Sequence, residues 1–174
     1  MKYILYDTQW GSQSKRALIE AATVSIMVFR QISVRHIKKA FRHTAEILKN
    51  PDFGSLDGWT LSPATVYDRQ QKALLVSIKA LATRVISVEP VMGYQNKVRV
   101  RCHNGQAGQG RMQINWLDKA GQFIKVDIKV FDCTNDWRDH TMTVVSPPGA
   151  ATAFVYTSGH TGTILEYAMN SLRK

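Results

Sequence analysis

Residues 112–150 read MQINWLDKAGQFIKVDIKVFDCTNDWRDHTMTVVSPPGA, and this stretch decides the fold of most of the chain. Met112, Ile114 and Trp116 alternate with polar residues, which predicts a half-buried strand, and Asp118–Gly121 then predicts a tight turn. The next strand has an apolar face, which we expect to lie in the core, and a charged face: Ile124, Val126, Ile128 and Val130 against Lys125, Asp127 and Lys129. Such alternation is typical of antiparallel sheets with one solvated side.

The same alternation extends over residues 51–174 and predicts eight or nine strands. Turn residues separate the segments, and two antiparallel sheets packed face to face would bury their apolar sides. The fold prediction is therefore mainly β: an antiparallel jelly-roll β-sandwich. The remaining strand candidates are Leu56–Leu61, Ala73–Ile78, Ala82–Val88, Tyr94–Cys102, Thr141–Val145, Ala151–Tyr156 and Thr163–Leu172.

Residues 1–50 have a different pattern and predict a short arm followed by an α-helical hairpin. Apolar residues from Leu18 to Phe29 recur at helical spacing, and a second set continues from Val34 to Leu48. Pro51 ends the second helix because proline disfavours the helical conformation in the residue before it. The predicted domains are thus residues 1–50 and residues 51–174. The exposed face of the second helix is a candidate partner interface: Arg35, Lys38, Lys39 and Arg42.

The composition describes a globular but strongly basic chain. Its 174 residues are 44% hydrophobic, which provides enough apolar surface for a core, and its net charge is +10. Excess positive charge favours an anionic neighbour such as a DNA backbone or an acidic surface, although an ordinary basic surface is the simpler alternative.

The apolar stretch 17–29 is too short to span a bilayer and lacks a signal-peptide pattern. We therefore expect no membrane partner and synthesis in the cytoplasm of the producing cell.

Charge concentrates on one predicted strand face, where Lys97, Arg99, Arg101 and His103 alternate with Val98, Val100 and Cys102. Cations on one face repel each other, so neighbouring acids, a bound anionic partner or nucleic acid must compensate them. Cys102 shares the apolar side, which predicts a buried free thiol, and the redox state of Cys102 and Cys133 stays open.

No pattern of catalytic, cofactor-binding or metal-binding residues occurs in the sequence. Nucleophile-elbow, phosphate-loop, dinucleotide-binding and zinc-protease motifs are all missing. Asp132, Asp136 and Asp139 carry oxygens suited to Ca²⁺, but solvated turn acids are the simpler interpretation. We therefore predict that the protein is not an enzyme and carries no cofactor.

Residues 51–174 resemble the jelly rolls of carbohydrate-binding modules. The resemblance rests on Asn50–Phe53, Asp57-Gly-Trp59, Ile114–Asp118 with Gly121, Trp137, and Ser146–Ala150. It implies a shared fold, in which Trp116 and Trp137 serve packing.

Alternation leaves Phe154 and Tyr156 as exposed aromatics, with Gln113 and Asn115 beside them if both strands lie in one sheet. Such a group suits contact with a glycan, and surface aromatics equally suit a protein interface.

Residues 12–61 resemble the helical start of head–tail adaptor proteins of tailed phages. The resemblance rests on Ser14–Ala22, on Ile32–Ile37 with Ala45–Leu48, and on Gly58–Leu61. It implies a non-enzymatic virion component, a head–tail connector assembled as a ring and bound to portal or tail proteins. A carbohydrate-binding module and a capsid decoration protein are the alternatives.

Overall fold

The computed structural model describes residues 45–78 and 80–174, which form ten strands and one short 3-10 helix, His103–Gly105. No helix in this part of the chain has the length and apolar character that a membrane crossing requires. The strands are β1 Trp59–Leu61, β2 Thr65–Asp68, β3 Ala73–Val76, β4 Leu81–Ser87, β5 Gly93–Cys102, β6 Gln109–Leu117, β7 Phe123–Asp132, β8 Arg138–Val145, β9 Thr152–Thr161 and β10 Leu165–Arg173.

The strands form two five-stranded sheets, and neighbouring strands within each sheet are antiparallel. The first sheet has the order β2-β3-β10-β5-β8, and the second has the order β1-β4-β9-β6-β7. Their apolar faces share one core, so the predicted mainly-β sandwich is confirmed. Strand β2 is an addition, because a four-residue segment between turns is too short for a clear alternation signal.

Aromatic side chains fill the centre of the core. Trp116 is 0% exposed, and its ring centroid lies 5.6 Å from that of Tyr94, across the two sheets. Tyr167 is also fully buried, and its hydroxyl donates to the Ser158 carbonyl oxygen at 2.9 Å. The prediction that Trp116 packs in the core is confirmed, since its face of β6 points towards the first sheet.

The expected free thiol at Cys102 is wrong, because Cys102 forms a disulfide with Cys133. The two Cα atoms lie 5.3 Å apart, at the end of β5 in the first sheet and just after β7 in the second. Beside the bridge, the Cys102 amide donates to the Thr134 carbonyl oxygen at 2.8 Å. Alternation within one strand places a residue on a face, but it carries no information about which residue of another sheet lies opposite.

Residues 45–50 belong to the sandwich and are not helical, although the apolar spacing assigned Ala45–Leu48 to the second helix. Glu46 forms an isolated antiparallel bridge with Arg173, and Leu48 is buried in the core. The Leu172 amide donates to the Glu46 carboxylate at 2.9 Å, so this segment is attached to the end of β10. The rest of the predicted hairpin, with Arg35, Lys38, Lys39 and Arg42, lies outside the described residues and stays a prediction.

Strand β7 is inverted relative to the sequence-based expectation. Its apolar residues face outwards: Ile124, Val126, Ile128 and Val130 are 36 to 50% exposed. The register with β6 explains this, because directly opposed residues share a face and Trp116 lies opposite Lys125 and Ile114 opposite Asp127. The Trp116 indole N–H donates to the Asp127 carboxylate at 2.7 Å, so the polar face of β7 supplies an acceptor that a buried indole needs.

The inward-facing charged residues of β7 also form contacts at the edge of the sandwich. Lys125 pairs with Asp127 at 2.8 Å, and the Lys129 ammonium donates to the Thr141 carbonyl oxygen of β8 at 2.7 Å. Inward-pointing charges on an edge strand discourage another strand from pairing with it. The inversion therefore protects the edge of the second sheet and leaves an apolar surface on its outer face.

Candidate functional site

The outer face of the second sheet brings together all four candidate contact residues. Cross-strand register places Gln113 of β6 opposite Tyr156 of β9, and Asn115 opposite Phe154. The condition set by the sequence, that both strands lie in one sheet, is therefore met. All four side chains are partly exposed, whereas Val155 on the alternate face of β9 is fully buried.

The two aromatic rings are stacked side by side along β9. The centroids of Phe154 and Tyr156 are 6.1 Å apart, and the ring planes differ by 26°. Partial burial raises the pKa of the Tyr156 hydroxyl, and its hydrogen bond with Asn115 opposes that rise. The hydroxyl therefore stays protonated at neutral pH and is able both to donate and to accept.

The amides beside the rings are held by each other. The Gln113 amide nitrogen donates to the Asn115 side-chain oxygen at 2.7 Å. An amide carries two donors and an acceptor with two lone pairs, so this bond leaves further hydrogen-bonding capacity on both groups. The pair forms a short polar strip next to the rings.

Exposed aliphatic side chains extend this surface on both sides. Val85 of β4 lies opposite Phe154, while Val126 and Ile128 of β7 lie opposite Asn115 and Gln113. Four neighbouring strands at the usual spacing span about 14 Å. We call these residues the aromatic–aliphatic face: Val85, Phe154, Tyr156, Gln113, Asn115, Val126 and Ile128.

The aromatic–aliphatic face carries no formal charge at neutral pH. The nearest cation along β6 is Arg111, whose Nε donates to the Ser158 hydroxyl at 3.1 Å. Contiguous exposed apolar surface of this kind is unusual on a monomeric protein and is typical of interaction sites, which makes this face the candidate site. Val126 and Ile128 were not predicted to be exposed, because the apolar side of β7 was expected to lie in the core. Val85 lies in β4, and no alternation had assigned it to a face.

The basic stripe of β5 lies on the outer face of the first sheet, and acids accompany most of it. Lys97 pairs with Asp139 at 2.7 Å. Arg101 and His103 both contact the Glu166 carboxylate at 2.7 Å, and that side chain is only 8% exposed. Neighbouring acids were one of the alternatives left open by the sequence, and they reduce the need for a bound anion. Whether Lys97, Arg99, Arg101 and His103 also contact a partner stays a prediction.

Trp137 covers part of this stripe. The Arg101 guanidinium lies 4.7 Å from the centroid of the Trp137 ring, and it also donates to the Gln71 side chain at 3.1 Å. A cation over an indole face is stabilised by the ring electrons. Trp137 therefore has a packing role at the start of β8.

The turn acids do not assemble into a calcium site. Asp132 accepts a hydrogen bond from Gln109 at 2.8 Å, and Asp139 is paired with Lys97. Within residues 45–78 and 80–174, no three His, Cys, Asp or Glu side chains are grouped to hold a metal ion.

Comparisons with solved structures identify the fold, whereas comparisons with family models and with curated sequences identify no relative. No protein-family model matches the chain, and no curated protein sequence matches it. Among solved structures, 73% of the chain is similar to 93% of the CBM22-1 xylan-binding domain from Paenibacillus barcinonensis, with 14% identity and a TM-score of 0.54. A carbohydrate-binding module in complex with β-1,4-galactotriose is similar over 75% of this chain and 100% of its own length, at 14% identity and a TM-score of 0.52.

The chain also matches part of much longer proteins. It is similar to 21% of the enzymatically active domain of tailspike protein 4 from bacteriophage CBA120, at 18% identity and a TM-score of 0.53 over 73% of this chain. It therefore spans about a fifth of that neighbour's length. At such identities the likeness shows the fold alone.

The predicted head–tail connector function is wrong. Several of the structural neighbours are carbohydrate-binding modules, one of them within a xylanase chain, and the resemblance to adaptor proteins is not shown. The ring oligomer, the portal or tail partners and the location in a virion are predictions from sequence that no structural observation tests.

Proposed function

We propose that the sandwich is a non-catalytic carbohydrate-binding module, and that its aromatic–aliphatic face binds a neutral glycan. The observation that carries the proposal is the placement of Phe154 and Tyr156 beside the amides of Gln113 and Asn115 on one sheet face. A carbohydrate-binding module is one of the alternatives that the sequence leaves open.

The chemistry of the face matches that of a sugar chain. A pyranose ring presents C–H groups on its faces and hydroxyl groups around its edge. Apolar side chains exclude water from the C–H groups, while a few polar groups fix the orientation of a ligand. Here the rings of Phe154 and Tyr156 provide the apolar contact with the C–H groups, and the amides of Gln113 and Asn115 provide the polar groups that orient the sugar.

Charge and extent indicate the kind of glycan. The aromatic–aliphatic face has no cation to pair with an acidic sugar, so an acidic sugar would lose the hydration of its charge there without compensation, whereas a neutral sugar has no charge to desolvate. Because the face extends across four strands, from Val85 to Ile128, we expect it to contact several sugar units of an extended chain. Two similar structures are a xylan-binding domain and a module bound to a galactotriose, which supports this ligand class by analogy of fold.

The test is a glycan array probed with the full chain and with two variants, Phe154→Ala and Tyr156→Ala. Each variant should weaken binding of the best glycan by about tenfold or more, since a tenfold change corresponds to about 1.4 kcal/mol of lost contact. Both variants should stay folded, because both rings are partly exposed, and a thermal melt verifies this. Val66→Ala is the matched control: Val66 is an exposed apolar residue on the first sheet, and its truncation should leave binding intact.

A second pair of variants separates glycan binding from an apolar protein contact. Gln113→Ala and Asn115→Ala remove hydrogen-bonding groups and keep the rings. Loss of glycan binding in these variants supports the proposal, because hydroxyl recognition needs the amides. If no glycan on the array binds, or if Phe154→Ala and Tyr156→Ala bind as the unmodified chain does, the proposed function is refuted.

A further inference from the structure

A cavity of about 350 Å³ lies apart from the aromatic–aliphatic face, between the loop before β1 and the hairpin that joins β2 to β3. It is lined by Gly54, Ser55, Leu56, Tyr67, Arg69 and Lys72. Its hairpin side belongs to β2, the edge strand of the first sheet, whereas the aromatic–aliphatic face is on the second sheet. The cavity is therefore a separate feature of the surface.

The lining combines an apolar wall with two cations. Leu56 and Tyr67 supply the wall, and Arg69 and Lys72 project from the two ends of the same hairpin turn. Ser55 adds a hydroxyl group. Apolar contact on one side and two positive charges on the other suit a ring that carries a negative group.

Within the described residues, no ion pair neutralises the two cations. Across the described ranges 45–78 and 80–174, neither Arg69 nor Lys72 forms a salt bridge. The neighbouring acids contact backbone instead. Asp68 accepts hydrogen bonds from the Gln70 and Gln71 amides at 2.9 and 3.0 Å, and Asp52 accepts one from the Gly54 amide at 3.2 Å.

Both rims of the cavity are held in place before any ligand arrives. Phe53 and Lys72 have left-handed backbone conformations, with φ of 53° and 49°. Residues with side chains adopt this region at a cost, and such strain is concentrated at binding sites. On one rim Phe53 is fully buried, and its carbonyl oxygen accepts the Tyr67 hydroxyl at 2.6 Å. On the other rim, Arg101 holds the Gln71 side chain at 3.1 Å.

We propose that this cavity binds a carboxylated sugar of the uronic acid type. Arg69 and Lys72 bind the carboxylate, and Leu56 and Tyr67 pack against the sugar ring. A planar guanidinium matches a carboxylate with two parallel hydrogen bonds, which a neutral sugar cannot use. The proposal goes beyond the neutral-glycan site and does not depend on it.

The test is a titration of the full chain, labelled with ¹⁵N, with glucuronate in an amide-resolved NMR experiment. The amides of Gly54, Ser55 and Gln71 should shift in a saturable way. Glucose at the same concentrations should not shift them, because it lacks the carboxylate. Affinity should fall as salt is added, since exposed charges are screened.

Variants make the result specific to the two cations. Arg69→Gln together with Lys72→Gln should weaken glucuronate binding at least tenfold, and each single variant should weaken it less. The matched control is Lys119→Gln with Arg138→Gln, which removes two exposed cations elsewhere and should leave binding unchanged. Both Arg69 and Lys72 are exposed, so the folded state should survive their replacement, and the NMR spectrum itself verifies it.

Three outcomes would overturn the proposal: glucose shifts the same amides equally, the double variant binds as the unmodified chain does, or inorganic phosphate binds and glucuronate does not. Phe154→Ala should retain glucuronate binding. Failure of the neutral-glycan site and failure of this site are therefore distinguishable.

Discussion

The disulfide between Cys102 and Cys133 should contribute a large share of the stability of the sandwich. It joins the end of β5 in the first sheet to the residue after β7 in the second, and both cysteines are buried. The perturbation is the double variant Cys102→Ala with Cys133→Ala, or reduction of the unmodified protein. Both remove the covalent link between the sheets.

The expected loss follows from the size of the loop that the bridge closes. With a sequence separation of 31, the chain-entropy relation gives about 12 cal/mol/K, or about 3.7 kcal/mol at 25 °C. For a sandwich of this size that corresponds to a fall in the melting temperature of roughly 10–20 °C. The reduced chain should also unfold with a larger denaturant dependence, because its unfolded state is more expanded.

The assay compares urea and thermal unfolding of the oxidised protein, the reduced protein and the double variant. The reduced protein and the double variant should agree, since both lack the bridge. Labelling of thiols in denaturant without reductant provides a direct check. Labelling of both cysteines under these conditions, or an unfolding midpoint that reduction leaves unchanged, would refute the predicted contribution of the disulfide. Stable disulfides are typical of oxidising surroundings, so this measurement also bears on where the protein works.

Two further predictions concern His140 and Asp127. Burial, aided by Lys129, lowers the pKa of His140, which stacks on Phe131 with ring centroids 4.2 Å apart. A histidine whose folded pKa lies below its unfolded value contributes its full stability above the unfolded pKa of about 6.5, and this contribution is lost as pH falls through the folded pKa. Melting curves between pH 7.5 and 5 should therefore show a falling melting temperature, and His140→Gln should make that fall smaller. An equally steep fall in the variant would assign the pH dependence to another group. Asp127→Ala leaves the Trp116 indole N–H without its acceptor and should lower the free energy of unfolding in urea by about 1–3 kcal/mol. Asp136→Ala in an exposed turn is the control, and equal effects of the two changes would contradict the role of Asp127.

The candidate contact residues show how far the sequence reaches. Alternation along β9 was enough to predict that Phe154 and Tyr156 are exposed, because successive side chains of a strand point to opposite faces. That Gln113 and Asn115 lie beside them depended on which strands pair, and the order β4-β9-β6-β7 is not encoded in any local pattern. The cavity beside Arg69 and Lys72 had no sequence signal, since its walls come from a loop and a hairpin that no periodicity connects.

The sequence by itself determined most of the strands, the tight turn at Asp118–Gly121 and the burial of Trp116, because these follow from local propensity and from an alternation with a period of two. Only the tertiary structure decided which face of β7 points inwards and which residue Cys102 meets. An alternating strand always offers two faces, and the stretch from Ile124 to Val130 offers one apolar and one charged. The inward position of the charged face places the Asp127 carboxylate against the Trp116 indole N–H and leaves the apolar face exposed.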